Sequence, residues 1–562
     1  MSLFGALNIG GSALAAQTAA LQVTGNNIAN AGNADYTRET STLTPGSDQQ
    51  IAPGIFVGSG VSLTAVQRQV DESLNARLRS ANSDNQSATT TQSLLSQVES
   101  SFNALGTNNI STQMSTFFTS WSSLAATPQD AGLRQIVLSD GQNVAQSLTQ
   151  ERTQLDGVQT SLNQQLTSMA QSANDLAQQV ATLNTQIVIA AGGTAGGDNS
   201  LIDQRDAVLT KLSGLINIQT VNQPNGSVNV YVGSEPLVIA GTSSGVAVTT
   251  LNGQPQSTVV FKSNDDPLPL TSGQLGAMQS MQSQLSSVTA QVDSLAHNLI
   301  SAVNQLHASG QGMQGFSSVT STNAVTSPTA ALNSTAAGLD YPPTNGSFVV
   351  HVTNTATGQS TSTLIKVSLT GAPTDTTLNS LAASLNAVSG ITAKVAGGKL
   401  TISSSSSGST FSFSQDSSGA LAGLGINTFF TGSNASDIAV NSTVLNNSDL
   451  IAAAKNGDAG DNQTAVAIAA LNTQPLASGQ SIQDQYQSII NGVSGAVADA
   501  TTNAQASQAV QSTLSAQQQS LSGVSIDEES INMLTQQRAY QGAAVFITTV
   551  NTMMTTLMAM IP

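Results

Sequence analysis

The chain has 562 residues, too many for one compact core, and only 8% of them are charged where soluble domains average about 25%. A net charge of −17 with 14 basic residues lacks the Lys/Arg footprint that nucleic acid or an anionic membrane surface needs. With no cysteine, disulfide frameworks, thiolate zinc sites and thiol catalysis are excluded together.

The first charged residue is Asp35. The basic start of a secretory signal peptide is therefore missing, and any export is expected to use a route without a cleavable signal. No stretch reaches about 20 consecutive apolar residues, because Gln, Asn, Thr and Ser interrupt each run. Leu7, Leu14, Leu21 and Ile28 recur every seven residues, which predicts one apolar seam on a helix ending near Asn30. From Arg38 to Val66, short β-type runs bounded by Pro45, Pro53 and Gly60 predict an extended hairpin. Helical spacing returns with Val66, Val70, Leu74 and Leu78, and again from Leu94 to Leu105. Met114, Phe117, Phe118, Trp121 and Leu124 predict an amphipathic helix closed by Pro128, with Trp121 in the core.

Between 132 and 190, Leu148, Leu155, Leu162, Met169, Leu176 and Leu183 stand in heptad register on a helix of about 90 Å. A short helix to Leu215 precedes a β-rich stretch, 216–269, punctuated by Asn225-Gly226 and Asn252-Gly253 turns. A second heptad runs through Met278, Leu285, Val292, Leu299 and Leu306, with Met281, Val288, Leu295 and Ala302 in the other seam position. Strand-like runs then occupy 316–455, including a hairpin turning at Gly397-Gly398. Helical spacing resumes from about Ile482 to Leu521, and Gly523 breaks it. Ser525 and Glu528 spell a capping box, while Asp527, Glu528 and Glu529 put negative charge at the positive end of a last helix. There Met533, Tyr540, Ile547, Met554 and Ile561 fall seven apart with Ala543, Val550 and Leu557 between, and no charge follows Arg538.

The expected fold is multidomain α+β: a long helical coiled-coil rod formed by both chain ends, with two inserted β-rich domains. Residues 1–38 and 522–562 form a terminal coiled-coil assembly domain, and 39–215, 270–312 and 460–521 a helical rod domain with a β-hairpin. A small β-rich insertion spans 216–269 and an outer β-rich domain 313–459. One apolar seam does not offset the entropy of ordering the C-terminal helix. Its charge-free N-terminal counterpart and neighbouring copies would complete the burial, so the ends are expected to be disordered alone and helical in a polymer.

Catalytic chemistry finds little support. His297, His307 and His351 are too sparse for a metal site, and 456–461 lacks the alternating ligands and terminal Glu of a calcium loop. Asp203, Arg205 and Asp206 read as an ion-pairing structural corner. No enzyme activity, metal or cofactor is expected.

Asn26-Asn27-Ile28-Ala29-Asn30, followed by Tyr36 and Arg38, resembles the N-terminal signature of the flagellar axial proteins of rod, hook and hook–filament junction. Asn33 and Asp35 stand where that family's turn has Thr and Gly. Gly54 to Val61, Val66-Gln67-Arg68, 201–206, 272–276, 304–307, Phe429-Phe430-Thr431-Gly432 and 522–529 extend the resemblance, in order, to the hook-associated proteins of the junction. The resemblance implies a structural subunit of the extracellular flagellum between hook and filament, needed for filament assembly and exported by the type III apparatus. Its implied partners are a ring of identical subunits, hook protein, a second hook–filament junction protein and an export chaperone on the C-terminal helix, with no nucleic acid and no membrane. The expected assembly interface comprises Leu7, Leu14, Leu21, Asn26, Asn27, Ile28, Asn30, Tyr36, Arg38, Met533, Tyr540, Ile547, Val550, Met554, Leu557 and Ile561. The competing readings are another axial protein such as hook protein, a secreted adhesin, or a secreted hydrolase.

Overall fold

The computed structural model describes residues 3–102, 109–192, 198–250, 256–458, 460–477 and 479–560. Helix α1 (Leu3–Ala29) leads into a hairpin of β1 (Glu39–Pro45) and β4 (Val61–Arg68), and at its tip β2 (Gln49–Ala52) pairs with β3 (Ile55–Val57). Next come α2 (Glu72–Ser101), α3 (Ile110–Ala126), α4 (Ala131–Ala190) and α5 (Asn199–Leu215). Strands β5 (Ile218–Asn222), β6 (Val228–Val232), β7 (Glu235–Ile239) and β8 (Thr242–Ser243) form one antiparallel sheet, and β9 (Val246–Thr250) pairs with β10 (Ser257–Phe261).

After α6 (Gly273–Ala308) and β11 (Ser318–Thr320), strands β12 (Gly346–Asn354) and β13 (Ser360–Val367), helix α7 (Leu378–Asn386) and strands β14 (Ile391–Ala396), β15 (Lys399–Ser404) and β16 (Ser409–Ser414) build two sheets ordered β13-β12-β16 and β11-β15-β14. Short elements follow: α8 (Ala420–Leu424), β17 (Phe430–Thr431), β18 (Ala439–Val440), α9 (Ser442–Asn446) and α10 (Gln463–Ala470). The chain closes with α11 (Ile482–Ser522) and α12 (Ile526–Ala559). Long helices at both ends and β-rich middle segments make this the expected α+β class. Val66 departs from expectation. It lies in β4, and the next helix starts only at Glu72 because the Asp71 carboxylate accepts the Ser73 and Leu74 amides, at 2.9 and 3.1 Å, as its cap.

Contacts divide the chain into two units, Met1–Ser93 with Leu162–Met281 and Asp499–Pro562, and Leu94–Ser161 with Gln282–Ala498. In the first, α2 and α11 run antiparallel around a small core of Leu74, Ala81 and Leu514. Amides reinforce it: Asn85 donates to Gln511 at 2.6 Å, Gln511 to Asn82 at 2.9 Å and Gln518 to Asn75 at 3.1 Å. The β5–β8 sheet is fastened to α4 by Asn184, whose amide donates to the Val228 and Ala240 carbonyls and accepts the Val228 N–H.

The second unit has an aromatic core. Phe117, Phe118 and Trp121 of α3 are sequestered, and Phe117 and Trp121 pack on Phe429 with ring centroids 5.6 and 5.4 Å apart. His307 ends in this core, wholly buried, its Nδ1–H donating to the Asn427 carbonyl at 2.8 Å and its Nε2 accepting the Ala452 N–H at 3.0 Å. The second bond requires a neutral ring, since a protonated Nε2 cannot accept, and burial lowers its pKa from 6.5 to about 4.

Heptad spacing describes the long helices only in part. Leu148, Leu155 and Leu162 of α4 are wholly buried, but Met169, Leu176 and Leu183 are half-buried beside Ala170, Ala173, Ala177 and Val180, which take over the seam. A straight helix drifts by about 20° per heptad, so a strict seven-residue line walks off the buried face. In α6 the same drift hands the seam from Leu299 to Val303 and His307, leaving Ala302 and Leu306 half-buried.

Because the depressed pKa of His307 belongs to the folded state, its stabilising contribution is complete above pH 6.5 and is lost as pH falls towards about 4. The second unit should lose about 3 kcal/mol over that interval. Emission of Trp121, the sole tryptophan, should report the transition, and His307→Gln should flatten the acid slope while lowering stability at pH 7.

Candidate assembly interface

Helix α1 is free of charge and rich in small residues, and it lies antiparallel against α12, as three contacts fix. Gly10 meets Ile547, Thr24 donates to the Gln536 side chain at 3.0 Å, and Asn27 donates to Glu529 at 3.1 Å. The fully buried residues of α1 are Gly10, Ala16, Ala20, Thr24 and Asn27. Leu7, Leu14, Leu21 and Ile28 are only half-buried, so they are not the seam of this pair. At 3.6 residues per turn the leucine line sits about a quarter-turn from the small-residue line. Small residues let the helices approach closely: a Cβ built on Gly10 would lie 2.6 Å from Ile547 Cγ1.

On α12 the heptad line does face its partner. Val550 is buried, and Met533, Ile547 and Met554 are half-buried. Tyr540 and Leu557, at 40% and 53% exposure, lie at the margins, while Ile561 falls outside the described residues.

The signature residues at the foot of the pair form a polar knot. Asn27, 1% exposed, accepts the Glu39 N–H at 3.0 Å and the Tyr36 hydroxyl at 2.8 Å, and donates to the Glu39 carbonyl at 2.9 Å besides Glu529. Arg38 spans Glu528 at 3.0 Å and Glu529 at 2.8 Å, and its backbone N–H donates to the Ser522 carbonyl at 2.9 Å. Ser525 caps α12 through the Glu528 N–H, but the Glu528 carboxylate turns to Arg38 instead of closing the expected box. Burial, then the nearby carboxylates of Glu39, Asp203 and Glu529, raise the Tyr36 pKa and keep its hydroxyl a donor. Asn26, exposed, and Asn30 hydrogen-bond to each other at 3.1 Å.

The knot extends to α5. Arg68 pairs with Asp203 at 2.8 Å and Asp206 at 2.5 Å, Asp203 accepts the Thr37 N–H at 3.1 Å, and Asn199 donates to Glu39 at 2.8 Å. Asp203 and Asp206 thus hold the hairpin rather than a substrate. The spacing does not mark Glu39, Arg68, Asn199 and Glu529 as members of the site, since no helix or strand period pairs residues 12 to 502 positions apart.

A second omission is the outer face of α12. Ile531, Leu534, Val545, Met553 and Met560 are 56–76% exposed, about half a turn from the α1 seam. Thr548, Thr549, Thr552, Thr555 and Thr556 turn their hydroxyls back onto carbonyls of their own helix, which leaves their methyl groups outward. Apolar on two sides, α12 needs more covering than one partner helix supplies. The segment spanning α11 and α12 contains a stretch long and apolar enough by composition to cross a membrane, and almost none of it is buried.

Comparison with known proteins fits these elements. The family described as "Flagella basal body rod protein" matches residues 7–32, which take in most of α1, and "Flagellar basal body rod FlgEFG protein C-terminal" matches 517–560, which include α12. The "Flagellar hook-associated protein FlgK helical domain" family matches 95–320. Flagellar hook-associated protein 1 of Escherichia coli is 26% identical over 96% of both chains. The chain is a homologue of flagellar hook-associated protein 1. Its counterpart from Salmonella typhimurium is 25% identical over 97% of this chain and 98% of its own. A solved structure titled as the flagellar hook junction protein FlgK from Burkholderia pseudomallei has the same fold, with TM-score 0.53 and 19% identity over 80% of this chain and 100% of that chain.

In this hook-associated protein 1 homologue, Asn27→Ala would leave the part-buried Glu39 N–H and C=O without their partner, a cost of about 2 kcal/mol. Hydrogen exchange should show α1 and α12 opening much more readily, with Trp121 emission in the second unit unchanged. Leu14→Ala, at a half-buried position, should leave exchange nearly as in the wild type.

Proposed function

We propose that this homologue works as a structural subunit of the bacterial flagellum at the hook–filament junction, and that its paired ends are where it joins its neighbours. The observation that carries the proposal is the apolar outer face of α12, charge-free beyond Arg538 and uncovered by its own chain. Neighbouring helix pairs would bury it, together with the half-exposed line Leu7, Leu14 and Leu21 and the margin residues Tyr540 and Leu557. The knot around Asn27, Tyr36 and Arg38 sets the position of the pair instead of contacting partners itself. The chain is part of the axial structure and assembles with other axial proteins.

The finer reading is a ring of identical subunits, with hook protein on one side and a second hook–filament junction protein on the other. An export chaperone would cover the outer face of α12 before assembly, and export would run through the type III apparatus without a cleavable signal. The domain limits at 1–38 and 522–562 follow the paired ends, and 313–459 would face away from the axis. The role requires neither catalysis nor a cofactor. Hook protein and a secreted adhesin are not favoured: the relatives matched along nearly the whole chain are named flagellar hook-associated protein 1.

Removing 522–562 should abolish incorporation at the hook tip and filament growth while Trp121 emission stays native. Val545→Asp with Met553→Asp is the sharper test. Helicity and secretion should persist while filament assembly and swimming fall at least ten-fold, and normal swimming by this variant would overturn the proposal.

A further inference from the structure

We propose that Arg538 of one copy pairs with Asp35 of the next, and that this pair fixes how far neighbouring helix pairs are displaced along their axis. This rests on the assembly reading above, in which neighbouring helix pairs cover the outer face of α12, and names the charges that meet there.

Residues 1–38 and 522–562 carry only six charged side chains: Asp35, Arg38, Asp527, Glu528, Glu529 and Arg538. Arg38 is committed to Glu528 and Glu529. Asp527 stands in the first turn of α12, where the positive end of the helix faces it. Asp35 and Arg538 are left over. Both are exposed, and among the described residues neither enters an ion pair.

Arg538 sits in the middle of the face that neighbours must cover. It follows Gln536, the partner of Thr24, by two residues and so points about 200° away from α1. It also precedes Val545 by seven residues, which places it on the same exposed line. A guanidinium enclosed there without a carboxylate would be a buried, unpaired charge, which is costly in any interface. Helix α1 of the neighbour offers no partner, since the first 34 residues carry no charge. The turn after that helix does. Asp35 borders a cleft of about 900 Å³ between the turn, α4 and α5, which leaves room for a long side chain. Asp35 and Asp175 stand in this cleft without an ion pair, and Lys211 is the one basic residue of its lining.

The spacing along the helix then sets the displacement. Glu529 marks the foot of the pair through its bond to Asn27, and Arg538 lies nine residues, about 13 Å, above it. A neighbour displaced by about that distance brings its own foot, and with it Asp35, level with Arg538. Both residues belong to one unit of the chain, so each copy carries both halves of the contact. A contact between unlike patches propagates into a ring or helix, where a two-fold contact would stop at a dimer.

Charge reversal tests the pair. Arg538→Glu or Asp35→Arg alone should reduce incorporation at the hook tip about ten-fold, with secretion, the Trp121 transition and hydrogen exchange of α1 and α12 as in the wild type. A chain carrying both changes should recover most of the lost incorporation, because every copy again offers a matched pair. Arg538→Glu with Asp527→Arg should stay as defective as Arg538→Glu alone. Arg538→Lys keeps the charge and supplies an amine, and carbodiimide should join it to Asp35 of another copy in assembled material and not in the dilute protein. Normal incorporation of Arg538→Glu, no recovery in the double reversal, recovery through Asp527→Arg, or a carbodiimide link to a different carboxylate would overturn the pair and leave the junction role intact. Failure of the unsubstituted chain to enter flagella at all would sink the junction role instead.

Discussion

Everything in the first unit depends on joining two chain ends that lie hundreds of residues apart. Closing so long a loop costs entropy that grows slowly with length but must still be met by contacts at the join. The protein concentrates those contacts at one point. Asn27 satisfies four hydrogen bonds inside the structure, and Arg38 grips two carboxylates at the start of α12. An exposed ion pair contributes little, but Glu529 is 2% exposed, and its partners are fixed by the helix end, the hairpin and each other.

From that knot the helix pair extends along a seam of small residues, and this choice governs what remains outside. Glycine and alanine bring the helices close while burying little apolar surface, so the large side chains of both helices fall on the flanks and the far face. Most globular helices put their large residues inward. Here Val545, Met553 and Met560 point out, and the leucines of α1 are half-covered. Incomplete burial in one chain is what the proposed assembly through the paired ends would complete.

The rest of the molecule avoids charge in a related way. Between α2 and α11, amides rather than ion pairs lock the register, and in the second unit Asn304 and Asn427 tie loops to the end of α6. Amide networks are directional without a net field, and they do not titrate. His307 does titrate, and because its buried Nε2 accepts the Ala452 N–H, the aromatic core of that unit is sensitive to acid.

The sequence alone determined the element types and the two β-rich stretches, and it pointed to the pairing of the chain ends, because period, turn residues and charge are local properties. It also marked Asn27, Tyr36 and Arg38. What it could not determine is the face on which each line of residues falls. The line through Leu7, Leu14 and Leu21 lies about a quarter-turn from the true seam, which small residues occupy because they let α1 and α12 approach closely. Likewise, only the tertiary structure brings Arg38 to Glu529 and Arg68 to Asp203, and only it leaves Ile55 and Phe56 uncovered. Contacts between distant residues are set by how the whole chain packs, and no local pattern encodes them.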